Sequence, residues 1–184
     1  QSIHEAYYAG GADIVETNTF GATGVVLAEY GLQEKVLEIN RAGARVAREA
    51  VDVAGAAVFV AGSMGPIGRP MAPLGSVSPE EVRDAFAEQS SALAAAGADV
   101  LILETFTDLS ELLEAVRGVR AAASLPLIAQ MTFTQEGKTL LGHGAREIAE
   151  ALERAGADVV GANCSMGSQG ILEVVAQMAQ RIDA

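Results

Sequence analysis

Cysteine is nearly absent: Cys164 is the one copy in 184 residues. A single cysteine excludes a disulfide within the chain. With no signal-peptide pattern at the start, that favours the cytoplasm. Basic residues are also scarce, 12 Lys plus Arg against 24 Asp plus Glu for a net charge of −12, and they form no run. Nucleic acid and anionic membrane surfaces are therefore not expected partners, and the acidity reads as well-solvated helix faces. No apolar run approaches the roughly 18 residues of a membrane helix. Neither G-x-G-x-x-G nor G-x-x-x-x-G-K-[ST] follows any apolar run, so a nucleotide-binding sheet gets little support. What remains is ordinary globular material, 50% hydrophobic and 20% charged, long enough for one domain with a core. The opening QSIHEAYYAGG reads as the middle of a helix, which suggests a piece of a longer protein.

A unit repeats along the chain. AGGADIVETNTF starts at Ala9, AAGADVLILETF at Ala95 and RAGADVVGANCS at Arg154. Each runs from a small residue through Gly-Ala-Asp into an apolar stretch and then into polar residues. Gly suits the left-handed position that ends a helix. The stretch after it is too apolar for a solvated face, as in parallel strands covered on both sides. AVFVAGSMG from Ala57 and PLIAQMTF from Pro126 read as two further strands, without the Gly-Ala-Asp entry.

Amphipathic helices fall between the strands. In SVSPEEVRDAFAEQSSALAAAG, Ser78 suits an N-cap, Pro79 suits N1, and Glu81 completes a capping box. Val82, Phe86 and Leu93 then share a face, and Gly97 closes the helix. Leu109, Leu112, Leu113 and Val116 repeat the pattern, as do Ile148 and Leu152. Five βα units with right-handed crossovers mean a parallel sheet, either open and doubly wound or part of an eight-stranded barrel. A whole barrel needs roughly 250 residues, so this chain is about three strands short.

In a parallel barrel the ligand end is the C-terminal end of the strands. Asp13, Asp99 and Asp158 enter strands, lie at the other end, and read as structural. The exits carry ETNTFGAT, GSMGPIG, ETFTD, MTFTQEG and NCSMG. Glu16 and Glu104 are rim carboxylates that need a cation, a donor or a metal, because burial without a partner is costly. A salt bridge to a residue such as Arg69 would meet that need without any function. Thr17, Asn18, Thr19, Thr105 and Thr132 add short polar groups, or merely turn chemistry. GSMGPIG could present N–H groups to a carboxylate. Cys164 reads from composition as a small buried hydrophobe. From its position it reads as a nucleophile needing His4 or His143, or as a zinc ligand. One cysteine cannot by itself supply a catalytic zinc site, which takes three protein ligands.

GADIVETNTFGAT, GPIG, GADVLILETFTDLSELLEAV, MTFTQEGKTLLG and GANCSMG, in this order, resemble the homocysteine S-methyltransferase domain. The likeness covers essentially the whole chain. It is nearest to the homocysteine-binding barrel of cobalamin-dependent methionine synthases and to bacterial proteins that join this barrel to a methylenetetrahydrofolate reductase. The resemblance implies an α/β fold, a TIM (β/α)₈ barrel. About five βα units would be present over residues 1–184, without the first strand and the last two or three units. It implies zinc-dependent transfer of a methyl group to the homocysteine thiol, giving methionine. Cys164 would be one of three thiolate zinc ligands, the other two being paired cysteines of a Gly-Gly-Cys-Cys segment outside this chain.

Glu104 would bind the substrate ammonium. Thr17, Asn18, Thr19 and Asn163 match pocket positions, with a local strand-end hydrogen bond left open for Asn163. The methyl donor, methylcobalamin or a folate-linked group, would come from another domain or a carrier. No catalytic residue is implied beyond the metal site. The competing expectation is a metal-free partial barrel serving as a binding or structural module. The 184-residue piece alone is expected to be inactive and poorly stable, because two strand edges are exposed.

Overall fold

A computed structural model describes residues 1–54 and 58–180. The sequence-based start of the second strand at Ala57 lies outside them. Five strands are present among the described residues: β1 (Ile14–Glu16), β2 (Phe59–Met64), β3 (Val100–Phe106), β4 (Leu127–Met131) and β5 (Val159–Ala162). The helices are α1 (Ser2–Ala9), a short α2 (Gly24–Leu27), α3 (Val36–Ala54), α4 (Pro79–Ala95), α5 (Leu109–Ala122), α6 (Ala145–Ala155) and α7 (Ser168–Ala179). All strand pairs are parallel. Their spatial order is β1-β2-β3-β4-β5.

That order decides between the two sheets the sequence allowed. A doubly wound sheet reverses direction at a switch point, whereas here every crossover steps the same way. The fold is a five-unit part of a (β/α)₈ barrel, and its sheet does not close on itself.

The core lies between the outer sheet face and the helices. Leu101, Leu103, Leu127 and Met131 pack with Val82, Phe86, Leu93, Leu112, Val116, Ile148 and Leu152 in one buried cluster. Each such burial contributes about 1.5–3 kcal/mol. The Phe86 and Phe106 rings sit 5.7 Å apart in a tilted pair. Helix α4 starts as its sequence dictates. Ser78 Oγ accepts from Glu81 N at 3.1 Å, and Glu81 Oε2 accepts from Ser78 N at 2.7 Å. Its end is marked by Gly97 at φ +98°.

The repeated Gly-Ala-Asp now has a cause. Arg48 on α3 donates to Gly97 O at 2.6 Å and to Asp99 Oδ2, which also accepts from Val60 N of β2 at 2.8 Å. Arg120 on α5 does the same for the next repeat. It donates to Gly156 O at 2.7 Å and pairs with Asp158, whose carboxylate also accepts from Leu127 N of β4 at 2.8 Å. These bonds hold the Asp158 carboxyl below its ordinary range, the Arg120 bond first and the Leu127 N–H second. Each clasp ties a helix, a loop and two neighbouring strands together at the entry end. Asp13 contributes its main-chain carbonyl, which accepts from Phe59 N at 2.9 Å.

Candidate active site

The strand exits converge on one end of the sheet. In β2 and β3 the outer-face residues Met64 and Leu103 are register partners, so Ser63 and Glu104 fall on opposite sides of that pair. Ser63 faces the concave side and donates from Oγ to Glu104 Oε1 at 2.6 Å. In a regular strand Phe106 would then share the face of Glu104. Instead Leu103 and Phe106 both join the helix-facing core. The register between β3 and β4 shifts between Leu103 and Phe106, and Thr105 there has φ +64°. One left-handed residue therefore turns Glu104 and Thr105 together toward the site, as a bulge does. For a β-branched residue this is an outlier, costing about 1–3 kcal/mol unless its surroundings enforce it.

Asn163, at the exit of β5, enforces it. Its Oδ1 accepts from Thr105 N at 3.0 Å, and its Nδ2 donates to Thr105 Oγ1 at 2.9 Å and, at 3.4 Å, to Glu104 Oε2. Cys164 follows at φ +62° and is exposed. The composition-based reading of a buried hydrophobe is thereby overturned, since the left-handed turn faces the thiol outward. Its Sγ lies 3.5 Å from Thr105 Oγ1. Neither histidine reaches it, so the nucleophile reading loses its base. His143 Nδ1 bonds to Glu147 Oε1 at 2.7 Å, and His4 Nε2 bonds to Glu16 O at 3.0 Å.

Thr17 and Thr19 are buried, and their hydroxyls meet at 2.6 Å. Thr17 Oγ1 accepts from Ser63 N at 3.0 Å, and Thr19 Oγ1 donates to Ser63 O at 2.7 Å. They fix the backbone of the residue that holds Glu104. Asn18 is exposed and lines a cavity of about 760 Å³ with Glu16, Ala61, Ile102 and Ile128. The loop after β1 is pinned from behind, with Gln89 Nε2 donating to Thr19 O at 2.8 Å and Asn40 Nδ2 to Ala22 O at 2.8 Å. Thr132 donates its N–H to Phe106 O at 2.8 Å, and its hydroxyl is buried without a hydrogen-bond partner.

Among the described residues the site holds no positive charge. Glu16 is held above the ordinary carboxylate range, first by desolvation and then by the negative charge of Glu104. Neither has a cationic partner among the described residues, because Arg69 turns instead to Ser76 Oγ at 3.4 Å. The glycine-rich exit of β2 does present an N–H to a carboxylate, but to one from the protein itself: Ile67 N donates to Glu111 Oε1 at 2.7 Å. Sequence reasoning missed Glu111, since a Glu in the first turn of α5 looks like a solvated helix start. Burial raises its pKa to about 7 against this bond, helped by the charge of Asp108. Ser63 was also missed, although its alternation with Met64 could have placed it on the inner face. Gly65 lets the Phe20 ring lie close over the backbone, since a Cβ there would stand 2.3 Å from that ring and make it shift.

Among the described residues no group of three His, Cys, Asp or Glu could hold a metal ion. Cys164 offers a single thiol, which does not make a zinc site by itself.

Comparison with known proteins agrees with this architecture. The homocysteine S-methyltransferase family model matches residues 1–184. A methionine synthase from Mycobacterium leprae is 33% identical over 174 residues, 91% of this chain and 14% of that protein. The Mycobacterium tuberculosis methionine synthase is likewise 33% identical, over 15% of its length. The chain thus spans about one seventh of these curated relatives. The metallated form of the homocysteine methyltransferase MmuM from Escherichia coli superposes with a TM-score of 0.86 at 23% identity, over 98% of this chain and 67% of that one. That likeness is one of fold, while the match along the whole chain carries the assignment: this chain belongs to the homocysteine S-methyltransferase family.

Proposed function

We propose that this chain forms the homocysteine-binding part of an enzyme that methylates the homocysteine thiol to give methionine. One observation carries the reading: Glu104 is held at the strand exits by Ser63 and Asn163, with no cation beside it among the described residues. A second carboxylate, Glu16, reinforces its field. Such a place suits an ammonium group, and a charge-assisted contact there fixes the amino-acid end of the substrate. The thiol end would then lie toward Cys164, with Thr17, Asn18, Thr19 and Asn163 shaping the rim. Ala61, Ile102 and Ile128 give the cavity an apolar wall. The homocysteine sulfur forms a bond to the methyl carbon, and the bond from methyl to donor breaks with its electron pair staying on the donor.

A free thiol has a pKa of about 8.5 and is mostly protonated at neutral pH. Zinc bound by three thiolates would hold the substrate sulfur deprotonated. Cys164 is our candidate for one of these thiolates, with two further cysteines outside this chain. The donor, methylcobalamin or a folate-linked methyl group, would come from another domain or carrier, and the reaction would run in the cytoplasm. Neither nucleic acid nor membrane figures in this reading. No helix of the described residues is long and apolar enough to cross a membrane.

The test is Cys164→Ala in the intact protein. We expect most zinc and activity to be lost while the circular dichroism spectrum stays unchanged. Retained zinc and activity would remove the ligand role, whereas an intact parent that binds no zinc and transfers no methyl group would favour the alternative of a metal-free binding module.

A further inference from the structure

We infer that Asn163 is a positioning residue that acts on the substrate through Thr105, by locking the left-handed turn that sets Thr105 beside Glu104 and keeps the Phe106 ring out of the site. The inference rests on the proposed role of Glu104 in holding the homocysteine ammonium. Both ends of the Asn163 amide bond to Thr105, Oδ1 to its N–H and Nδ2 to Oγ1, while Nδ2 also makes a longer contact of 3.4 Å to Glu104 Oε2. Among the described residues no other side chain bonds to Thr105 N. The amide orientation follows from the partners, because Thr105 N is a donor and must face the oxygen. An aspartate would keep the acceptor but lose the donor, and would add charge beside Glu104. A hydrophobe would do neither.

The geometry explains why a clamp is needed. Thr105 at φ +64° is the residue at which β3 slips register, and without the slip Phe106 rather than Thr105 would turn inward beside Glu104. A β-branched residue does not stay in the left-handed region unaided, whereas glycine does. Asn163 therefore matters for as long as residue 105 carries a Cβ.

A double-mutant cycle in the intact protein tests this, using Asn163→Ala, Thr105→Gly and the pair, read by homocysteine calorimetry and by KM against kcat. Asn163→Ala alone should weaken homocysteine binding about tenfold, the loss expected when part-buried hydrogen bonds at the site go unmade. It should raise KM far more than it lowers kcat. In the Thr105→Gly background the same change should cost less than about twofold, because glycine holds the turn without the clamp. Equal losses in both backgrounds would overturn the inference and make Asn163 a direct substrate contact. Failure of the parent protein to bind homocysteine would remove the substrate reading instead. The same cycle read in thermal melting then decides the clamp, with additive Tm losses counting against it.

Discussion

Two buried or half-buried carboxylates show how position sets the role of one residue type. Glu111 is 7% exposed, accepts from Ile67 N, and has its pKa raised from 4.5 to about 7 by burial. An acid with a raised folded pKa binds its proton more tightly when folded. Its contribution to stability is then fully present below about pH 4.5 and lost as pH rises through about 7, a loss of about 3 kcal/mol. Glu111→Gln keeps an acceptor for Ile67 N and never ionises. The variant should flatten the fall of Tm between about pH 5 and pH 8 and melt higher than the parent at the upper end. An unchanged slope would show that Glu111 does not titrate in this window.

In the proposed function Glu104 has the opposite task, to present its carboxylate to the substrate ammonium. Glu104→Gln should weaken homocysteine binding about 10- to 100-fold, the range of a lost charge-assisted contact. Thermal stability should hold, because no internal ion pair is broken. Calorimetry at fixed salt checks this, and unchanged affinity would move the ammonium elsewhere.

Among the elements, the closest helix contact is between α4 and α5. A Cβ on Gly118 would stand 2.3 Å from Arg83 O, so the two backbones touch where no side chain fits. Alongside, Glu114 is bonded by Arg83 at 2.8 Å and by Arg117. Gly118→Ala should push α5 off α4 and cost about 1–3 kcal/mol as overpacking does. Urea unfolding should show the midpoint falling at constant slope. A glycine in mid-helix reads from sequence only as a weak point, and its packing role appears once α4 lies against it. The Arg48 and Arg120 clasps have the same standing. The Gly-Ala-Asp repeat was legible and rightly placed at the entry end, but its arginines lie 36 or more residues away in sequence.

On the scale of the whole molecule, β1 and β5 are the unpaired edges of the described sheet. Apolar side chains remain exposed on and beside them, Ile14 at 46%, Phe59 at 56% and Val159 at 52%. An edge of this kind invites pairing with another chain. The 184-residue chain should therefore self-associate as concentration rises. The effect should be stronger in high salt, which screens the net charge of −12 and its repulsion. Val159→Lys should shift the chain toward monomer in light scattering, and a salt-independent monomer would contradict this.

The sequence by itself determined the alternation of five strands with helices, the start of α4 at Ser78, the end of the sheet that bears the polar residues, and the family. These are local or periodic properties, carried by capping residues, apolar runs and motif order, and they survive without knowledge of neighbours. Tertiary structure decided what depends on meetings between distant segments. It chose the barrel winding over an open doubly wound sheet, because strand order is a property of pairing. It turned Cys164 outward and denied it a histidine. It sent Thr17 and Thr19 to the Ser63 backbone rather than into open space. It bent Thr105 into the left-handed region through an asparagine 58 residues away. A backbone angle that only a tertiary hydrogen bond can hold leaves no mark in local sequence, and the place of Thr105 beside Glu104 goes with such an angle.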